Sequence, residues 1–345
     1  MESVVMFNNV YKDKKVFITG DEGFKGTWLK LWLIHLGANV KGYDLKSGKN
    51  VLDYKTLNEE IMKFNPDFIF HMAAQAIVYD SYKNPYDTFS TNIMGTLNVL
   101  DSLRHTDCKA FINIVTDKVY KSSDNYHSET DELYGYDPYS MSKVCSDLIT
   151  TCYKDSIYNN SDVAIANVLA GNVVGGGDEG SFRLIPDIVR AIAFREPVYI
   201  RHVNYTRPYQ HALDCLNGYL SLGQKLYEDG KIYEGSWNFG NEDFVSVETV
   251  LYLCTKYWKE FEIVYQGLPE ELYAETKNLS LDCKKAKEKL NWSILYPIDK
   301  AVEKTMDWYK EYYKDMDVNR YKKDMTNFTL QQIEDYEKEL INGKM

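Results

Sequence analysis

Tyr139 and Lys143 stand four residues apart in the run Tyr-Ser-Met-Ser-Lys. On a helix that spacing puts a phenol and an ammonium on one face. A tyrosine at its ordinary pKa of about 10 is a poor base near neutrality. A neighbouring cation that stabilises the phenolate makes it a usable one. Among 29 tyrosines the spacing alone carries little weight against a plain surface Tyr–Lys pair. Thr116 adds weight, because it ends an apolar run 23 residues upstream and can hydrogen-bond the same substrate hydroxyl. A second constellation is Gly20-Asp21-Glu22-Gly23-Phe24-Lys25-Gly26, a GxxGxxG pattern after a short apolar run. Glycines there permit a tight turn and close approach to a diphosphate, and a following helix offers free N–H groups and its positive end. A ligand-free glycine turn is the plainer alternative. Asp44, 24 residues after Gly20, sits where an acid reads a ribose 2′-hydroxyl and repels a 2′-phosphate. The pair therefore points to NAD rather than NADP.

The elements that must position these groups alternate. Val16 to Thr19 reads as a buried strand, Thr27 to Leu36 as a helix stopped by Gly37, and Asn39 to Tyr43 as a strand ending at Asp44. Tyr54 to Phe64 reads as a helix, Asp67 to Met72 as a strand, Pro85 to Leu103 as a long helix and Phe111 to Val115 as a strand. Pro138, suited to a first helical turn, opens a helix to about Tyr158, and Val163 to Val168 is a strand. This is the βαβ rhythm of a parallel sheet covered on both faces. After Ala170 the rhythm changes. Gly171 to Gly180 reads as loop. Helices then follow at Leu184–Phe194, Ala212–Tyr227, Val247–Trp258, Cys283–Leu290, Ile298–Tyr313 and Leu330–Leu340, with short strands at Val198–Arg201 and Trp237–Phe239. The expected fold is α/β, a Rossmann-type doubly wound parallel sheet with a smaller C-terminal α+β substrate lobe. The expected division gives residues 1–170, with a return segment at about 207–240, to cofactor binding. Residues 171–206 and 241–345 form the other lobe.

The chain has 345 residues, and 40 Lys and Arg against 51 Asp and Glu give a net charge of −11. That field disfavours nucleic acid and anionic membrane as partners. No run of about 18 apolar residues exists, so no membrane span is expected. The six cysteines form no CxxC pair and no zinc spacing, so no metal site is expected. Their scatter and the absence of a secretory start favour reduced thiols and a cytoplasmic location.

Taken together, GxxGxxG, Asp44, His71-Met72-Ala73-Ala74-Gln75, Asn92 and YxxxK resemble an extended short-chain dehydrogenase/reductase acting on a nucleotide sugar. Further blocks narrow this to a resemblance to the CDP-glucose 4,6-dehydratases. They are Gly23-Phe24-Lys25-Gly26-Thr27-Trp28-Leu29, Thr116-Asp117-Lys118, Gly135 to Tyr139, Ala170 to Asp178, Arg183 to Asp187, Arg207 to His211 and Leu281 to Lys287. The resemblance spans about residues 15 to 290. It implies a lyase with bound NAD and an internal redox cycle of C4 oxidation, loss of water across C5 and C6, and C6 reduction. Such a dehydratase serves deoxysugar and surface or lipopolysaccharide biosynthesis. Thr116, Asp117, Lys118, Tyr139 and Lys143 would be catalytic, with Asp117 the acid at C6 and Lys118 the base at C5. A simple surface ion pair is the plainer reading of Asp117-Lys118. Gly20, Gly23, Phe24, Gly26, Asp44, Ala73, Ala74, Gln75, Asn92, Tyr139 and Lys143 would hold the cofactor. Asn172, Arg183 and Arg207 would hold the substrate, with Arg201 a further candidate.

Some residues depart from the family pattern. The segment from Asp44 to Asp53 is short, Asn50 replaces an adenine-contacting Asp, Asp21-Glu22 place acids beside the diphosphate, and Leu169 replaces an Arg. The alternative function is a dehydratase or 4-epimerase for another nucleotide sugar, GDP-, dTDP- or UDP-linked; Asp117-Lys118 argues against an epimerase. A homodimer or higher homo-oligomer is expected, with Val99, Leu100, Leu103, Leu148, Ile149 and Tyr153 as interface candidates on the two long helices.

Overall fold

The computed structural model describes residues 6–121, 125–200, 202–243, 245–259, 261–265, 279–314 and 323–343. Its centre is a six-stranded parallel sheet. In chain order the strands are β1 (Lys15–Thr19), β2 (Asn39–Tyr43), β3 (Phe68–His71), β4 (Ala110–Ile114), β5 (Ala164–Ala170) and a last strand, Gly235–Phe239. The spatial order runs Gly235–Phe239, β5, β4, β3, β1, β2. β3, β4 and β5 are buried along their whole length, as strands covered on both faces must be. The chain reverses its winding between β1 and β3, and the carboxyl ends of strands at such a reversal leave a crevice.

The helix after β1 spans Phe24–His35, starting three residues earlier than expected because the last glycine turn is already helical. It buries Trp28, Leu29, Trp32 and Leu33. Gly37 ends it at φ +83°. The expected helix from Pro85 is a composite: Pro85–Phe89, a π turn at Ser90–Met94, then Gly95–Ser102. The helix from Pro138 runs to Cys152 and also continues as a π turn, Tyr153–Ile157.

Three of the proposed interface residues need correction. Val99, Leu100 and Leu103 are buried inside their own chain, packed with Leu57 and Ile61 of the helix Tyr54–Phe64. Ile149 and Tyr153 pack against the same cluster, and Leu148 alone of the six stays exposed. The apolar stripe was real, but a neighbouring helix covers it.

Short strand pairs complete the fold after β5; of their members the sequence indicated only Val198–Ile200, as a strand at Val198–Arg201. Val173–Val174 pairs with Gln210–His211 inside the glycine-rich stretch expected to be loop. Thr206–Arg207 pairs with Val245–Ser246, and Val198–Ile200 with Ile263–Tyr265. The helix Thr326–Asn342 returns to the outer face of the glycine helix, where Trp32 Nε1 donates to Glu337 Oε1 at 2.7 Å. Among the described residues no helix is long and apolar enough to cross a membrane, and no cluster of three His, Cys, Asp or Glu could hold a metal.

Candidate active site

Asp137 caps the helix Pro138–Cys152 by accepting from Ser140 N at 2.8 Å, with Pro138 in the first turn. Ser142, Ser146 and Thr150 follow at four-residue intervals and form a polar stripe against the sheet. Asn113 of β4 donates to Thr150 Oγ1 at 3.0 Å and to Asn167 of β5 at 2.9 Å. Ser146 shares a hydrogen bond with Thr96 at 2.8 Å. These buried bonds fix the helix along the sheet, because a slip would leave each group unpaired. Tyr139 and Lys143 thereby come to the carboxyl edge of β4, both buried.

Lys143 Nζ donates to the carbonyl of Ile114 at 2.8 Å rather than to Tyr139. Burial, and then the positive charge of Lys25, bring the Lys143 pKa down to about 7. Burial pushes the Tyr139 phenol up to about 12, opposed by its hydrogen bond with Thr116. Thr116 caps a 3₁₀ turn at Asp117–Val119 and donates to Asp117 Oδ1 at 3.1 Å. Asp117 is buried, its Oδ2 has no partner among the described residues, and burial holds its carboxyl above the usual range. Lys118 is half-buried at the cleft wall. Among the described residues it makes no ion pair with Asp117, so the surface-pair reading does not describe this site.

A cleft of 420 Å³ brings together Thr116, Asp117, Lys118, Tyr139 and Lys143 with Phe24, Ala74, Asn172, Arg183 and Arg207. The glycine turn lies beside it. A Cβ at Gly20 would meet Ala73 N at 2.7 Å, and one at Gly26 would meet the Gly20 carbonyl at 2.0 Å. Gly23 caps the helix without a side-chain acceptor, so its first N–H groups stay open to a ligand. Asp44 faces this turn and accepts from Glu22 N at 3.2 Å and Lys46 N at 2.8 Å. Such a cradle, with an acid across from it, fits a dinucleotide diphosphate and ribose. The two acids in the turn do not oppose this equally. Asp21 is buried, turned over Gly42 and paired with Lys30 at 2.6 Å, so its charge is compensated.

Asn92 and Gln75 lie behind the cleft. The π turn directs Asn92 inward, where it accepts from Gln75 N at 2.8 Å and donates to Ser142 Oγ at 2.8 Å. Its amide ties the loop after β3 to the helix Pro138–Cys152. Asn50 and Asp53 serve as local caps, for Leu52 N and Thr56 N, and Leu169 is buried in β5. Arg201 lies outside the described residues.

Sequence reading missed two groups at this cleft. Lys25 Nζ donates to the fully buried Tyr219 hydroxyl at 2.9 Å, and burial lowers the Lys25 pKa. Tyr79 and Phe182 bring their rings to 4.1 Å at the rim. A lysine on the second residue of a helix ordinarily reads as solvated surface. Only its place inside the glycine motif could have signalled otherwise.

Comparison with known proteins adds four findings. The family profile described as GDP-mannose 4,6 dehydratase matches residues 17–305. The CDP-glucose 4,6-dehydratase of Salmonella typhimurium is 36% identical, over 90% of this chain and 94% of that protein. Among solved structures, an epimerase of Methanothermobacter thermautotrophicus superposes with a TM-score of 0.79 at 23% identity, covering 90% of this chain and 96% of that one. The UDP-glucose 4-epimerase of Thermus thermophilus in complex with NAD gives 0.75 at 20%, covering 86% and 99%.

Proposed function

Because the chain belongs to the GDP-mannose 4,6-dehydratase family, we propose that it is a nucleotide-sugar 4,6-dehydratase with bound NAD that converts CDP-glucose to CDP-4-keto-6-deoxyglucose. The observation that carries the reading is Asp117. A buried carboxyl with an unpartnered oxygen, beside a lysine and facing the cleft that holds Tyr139, is equipment for eliminating water. A 4-epimerase has no use for it.

Gly20, Gly23, Gly26 and Asp44 would hold NAD, with Phe24, Ala73 and Ala74 along its path and Gln75 and Asn92 supporting the loop. Bound there, NAD would supply the reversible hydride acceptance that oxidation at C4 and reduction at C6 require. Tyr139 takes the proton of the C4 hydroxyl, with Thr116 aligning the phenol. Lys143 is fixed by the Ile114 carbonyl and, in its protonated form, supplies positive charge on the same helix face. Lys118 removes the C5 proton, acidified by the C4 ketone, and returns a proton to C5 as C6 is reduced. Asp117, whose acid form burial favours, protonates the departing C6 hydroxyl, so water leaves. Asn172, Arg183 and Arg207 hold the substrate, the arginines by forked donors suited to phosphate oxygens.

The lobes are assigned as residues 1–170 with 207–240 for the cofactor, and 171–206 with 241–345 for the nucleotide sugar. The finer proposal is a cytoplasmic homodimer pairing through the exposed Tyr86, Met94 and Leu148 of the two helical runs. Six free cysteines, four of them buried, fit a reducing compartment. The pure enzyme incubated with CDP-, dTDP-, GDP- and UDP-glucose should form a 4-keto product with CDP-glucose above the others. Epimerised product without loss of water would overturn the reading.

A further inference from the structure

Arg183 is not free to swing in the cleft. Its Nη1 donates to both oxygens of Asp178, at 2.9 and 3.0 Å. Among the described residues nothing takes its Nε or Nη2. Gly180 completes the hold. Its N–H donates to Asp178 Oδ1 at 3.0 Å, and a Cβ there would lie 2.9 Å from Arg183 Cδ and 3.0 Å from Nε. The segment is itself anchored. Trp28 Nε1 donates to the Gly176 carbonyl and Tyr309 hydroxyl to the Asp178 carbonyl, both at 2.9 Å. A Cβ at Gly176 would strike the Trp308 ring at 2.0 Å. Arg190 Nη2 donates to the Gly180 carbonyl at 3.2 Å.

We propose that Asp178 and Gly180 are positioning residues that clamp one amino group of Arg183 so that its remaining donors are presented to the diphosphate of the nucleotide sugar. The proposal rests on the reading of Arg183 as a diphosphate ligand. An unclamped arginine loses rotamer freedom on binding, whereas a clamped one has lost it already, so the ligand meets preorganised donors. Asp178 is also an anion near an anionic ligand. Simple repulsion would make its removal favourable, and the clamp makes it unfavourable. The sign of the effect therefore separates the two roles.

Binding of CDP and of cytidine to the NAD-loaded enzyme is measured by calorimetry for the native chain, Arg183→Gln, Asp178→Asn, Asp178→Glu and Gly180→Ala. Asp178→Asn should weaken CDP about tenfold, in the range of one charge-assisted hydrogen bond, and leave cytidine within twofold. Gly180→Ala should do the same by displacing the side chain, and Asp178→Glu should recover part of the loss. Should Arg183→Gln leave the preference for CDP over cytidine intact, the ligand reading of Arg183 fails. Should Arg183→Gln abolish that preference while Asp178→Asn tightens or does not change CDP binding, the clamp fails and the ligand reading stands. Equal losses for CDP and cytidine in both Asp178→Asn and Gly180→Ala would mean general damage to the loop and would also overturn the clamp.

Discussion

The three glycines of the turn do different work, and two single methyl groups can tell them apart. In Gly26→Ala the new Cβ would stand 2.0 Å from the Gly20 carbonyl oxygen and 2.9 Å from Asp21 Cα. It must retreat about 1.4 Å to reach an ordinary 3.4 Å contact, and every atom it meets is backbone. The helix Phe24–His35 has to lift from the strand, so the cost lies at the upper end of overpacking, about 3 kcal/mol. At about 2 °C per kcal/mol for a chain of this size, the melting temperature should fall by roughly 6 °C. In Gly23→Ala the Cβ meets only the Gly20 carbonyl, at 3.3 Å, and the backbone there has φ −76°, which alanine adopts freely. The apo fold should survive with its melting temperature nearly unchanged, while the methyl obstructs a diphosphate drawn to the open N–H groups. NAD content after heat extraction and thermal melting of stripped protein are the two assays. Both variants should lose NAD, and only Gly26→Ala should lose stability. Equal melting temperatures for the two variants, or full NAD occupancy in Gly23→Ala, would refute this division of roles.

Lys118→Met leaves Tyr139, Lys143 and Thr116 in place, so mixing it with CDP-glucose should build absorbance at the reduced-nicotinamide band while product formation falls about 10²–10⁴-fold. Tyr139→Phe should stop before any such absorbance, and native turnover by Lys118→Met would remove Lys118 from the base role. Asp44→Ala strips the acceptor from two backbone N–H groups, so it should cost about 1 kcal/mol in chemical denaturation and narrow the ratio of NADP to NAD dissociation constants. Asp214 is buried under Tyr336, Leu295 and Tyr296, and burial raises its pKa to about 7. Its neutral form is the one folding favours. Its contribution is therefore complete below about pH 4 and fades to nothing as pH rises through 7, by at most about 4 kcal/mol. Melting curves from pH 5 to 8 should show this downward slope in the native chain and a flatter one in Asp214→Asn; identical slopes would count against it.

Signals carried by neighbouring residues were legible in the sequence. Buried apolar runs such as Phe68 to Phe70 and Phe111 to Val115 gave the strands of the sheet, and Pro138 and Gly37 marked helix ends where the backbone puts them. Features set by three-dimensional neighbours were not legible. Val99 and Leu100 are as apolar as a subunit interface requires, and nothing in their own spacing says that Leu57 and Ile61 cover them. The helix Val78–Lys83 has six residues, too few for a helical period to stand out. Pairs as short as Thr206–Arg207 with Val245–Ser246 have too few residues for an alternation to appear. At the site, residue types suggested Tyr139, Lys143 and Thr116. The hold on Lys143 by a main-chain carbonyl and the clamp on Arg183 depend on contacts that spacing does not encode.

The bond from Trp32 to Glu337 joins residues 305 positions apart. A ribosome adding about 5–20 residues per second needs roughly 15–60 s to cover that distance. Throughout that interval Trp32, on the helix that begins at the glycine cradle, lacks the ring of Tyr336 packed edge-on against it and the acceptor for its indole N–H. The sheet can assemble as its strands emerge, but the helix that begins at the glycine turn is finished only after Glu337 has emerged. A product stopped short of residue 326 would carry the whole glycine motif on a helix whose Trp32 lacks both of these partners.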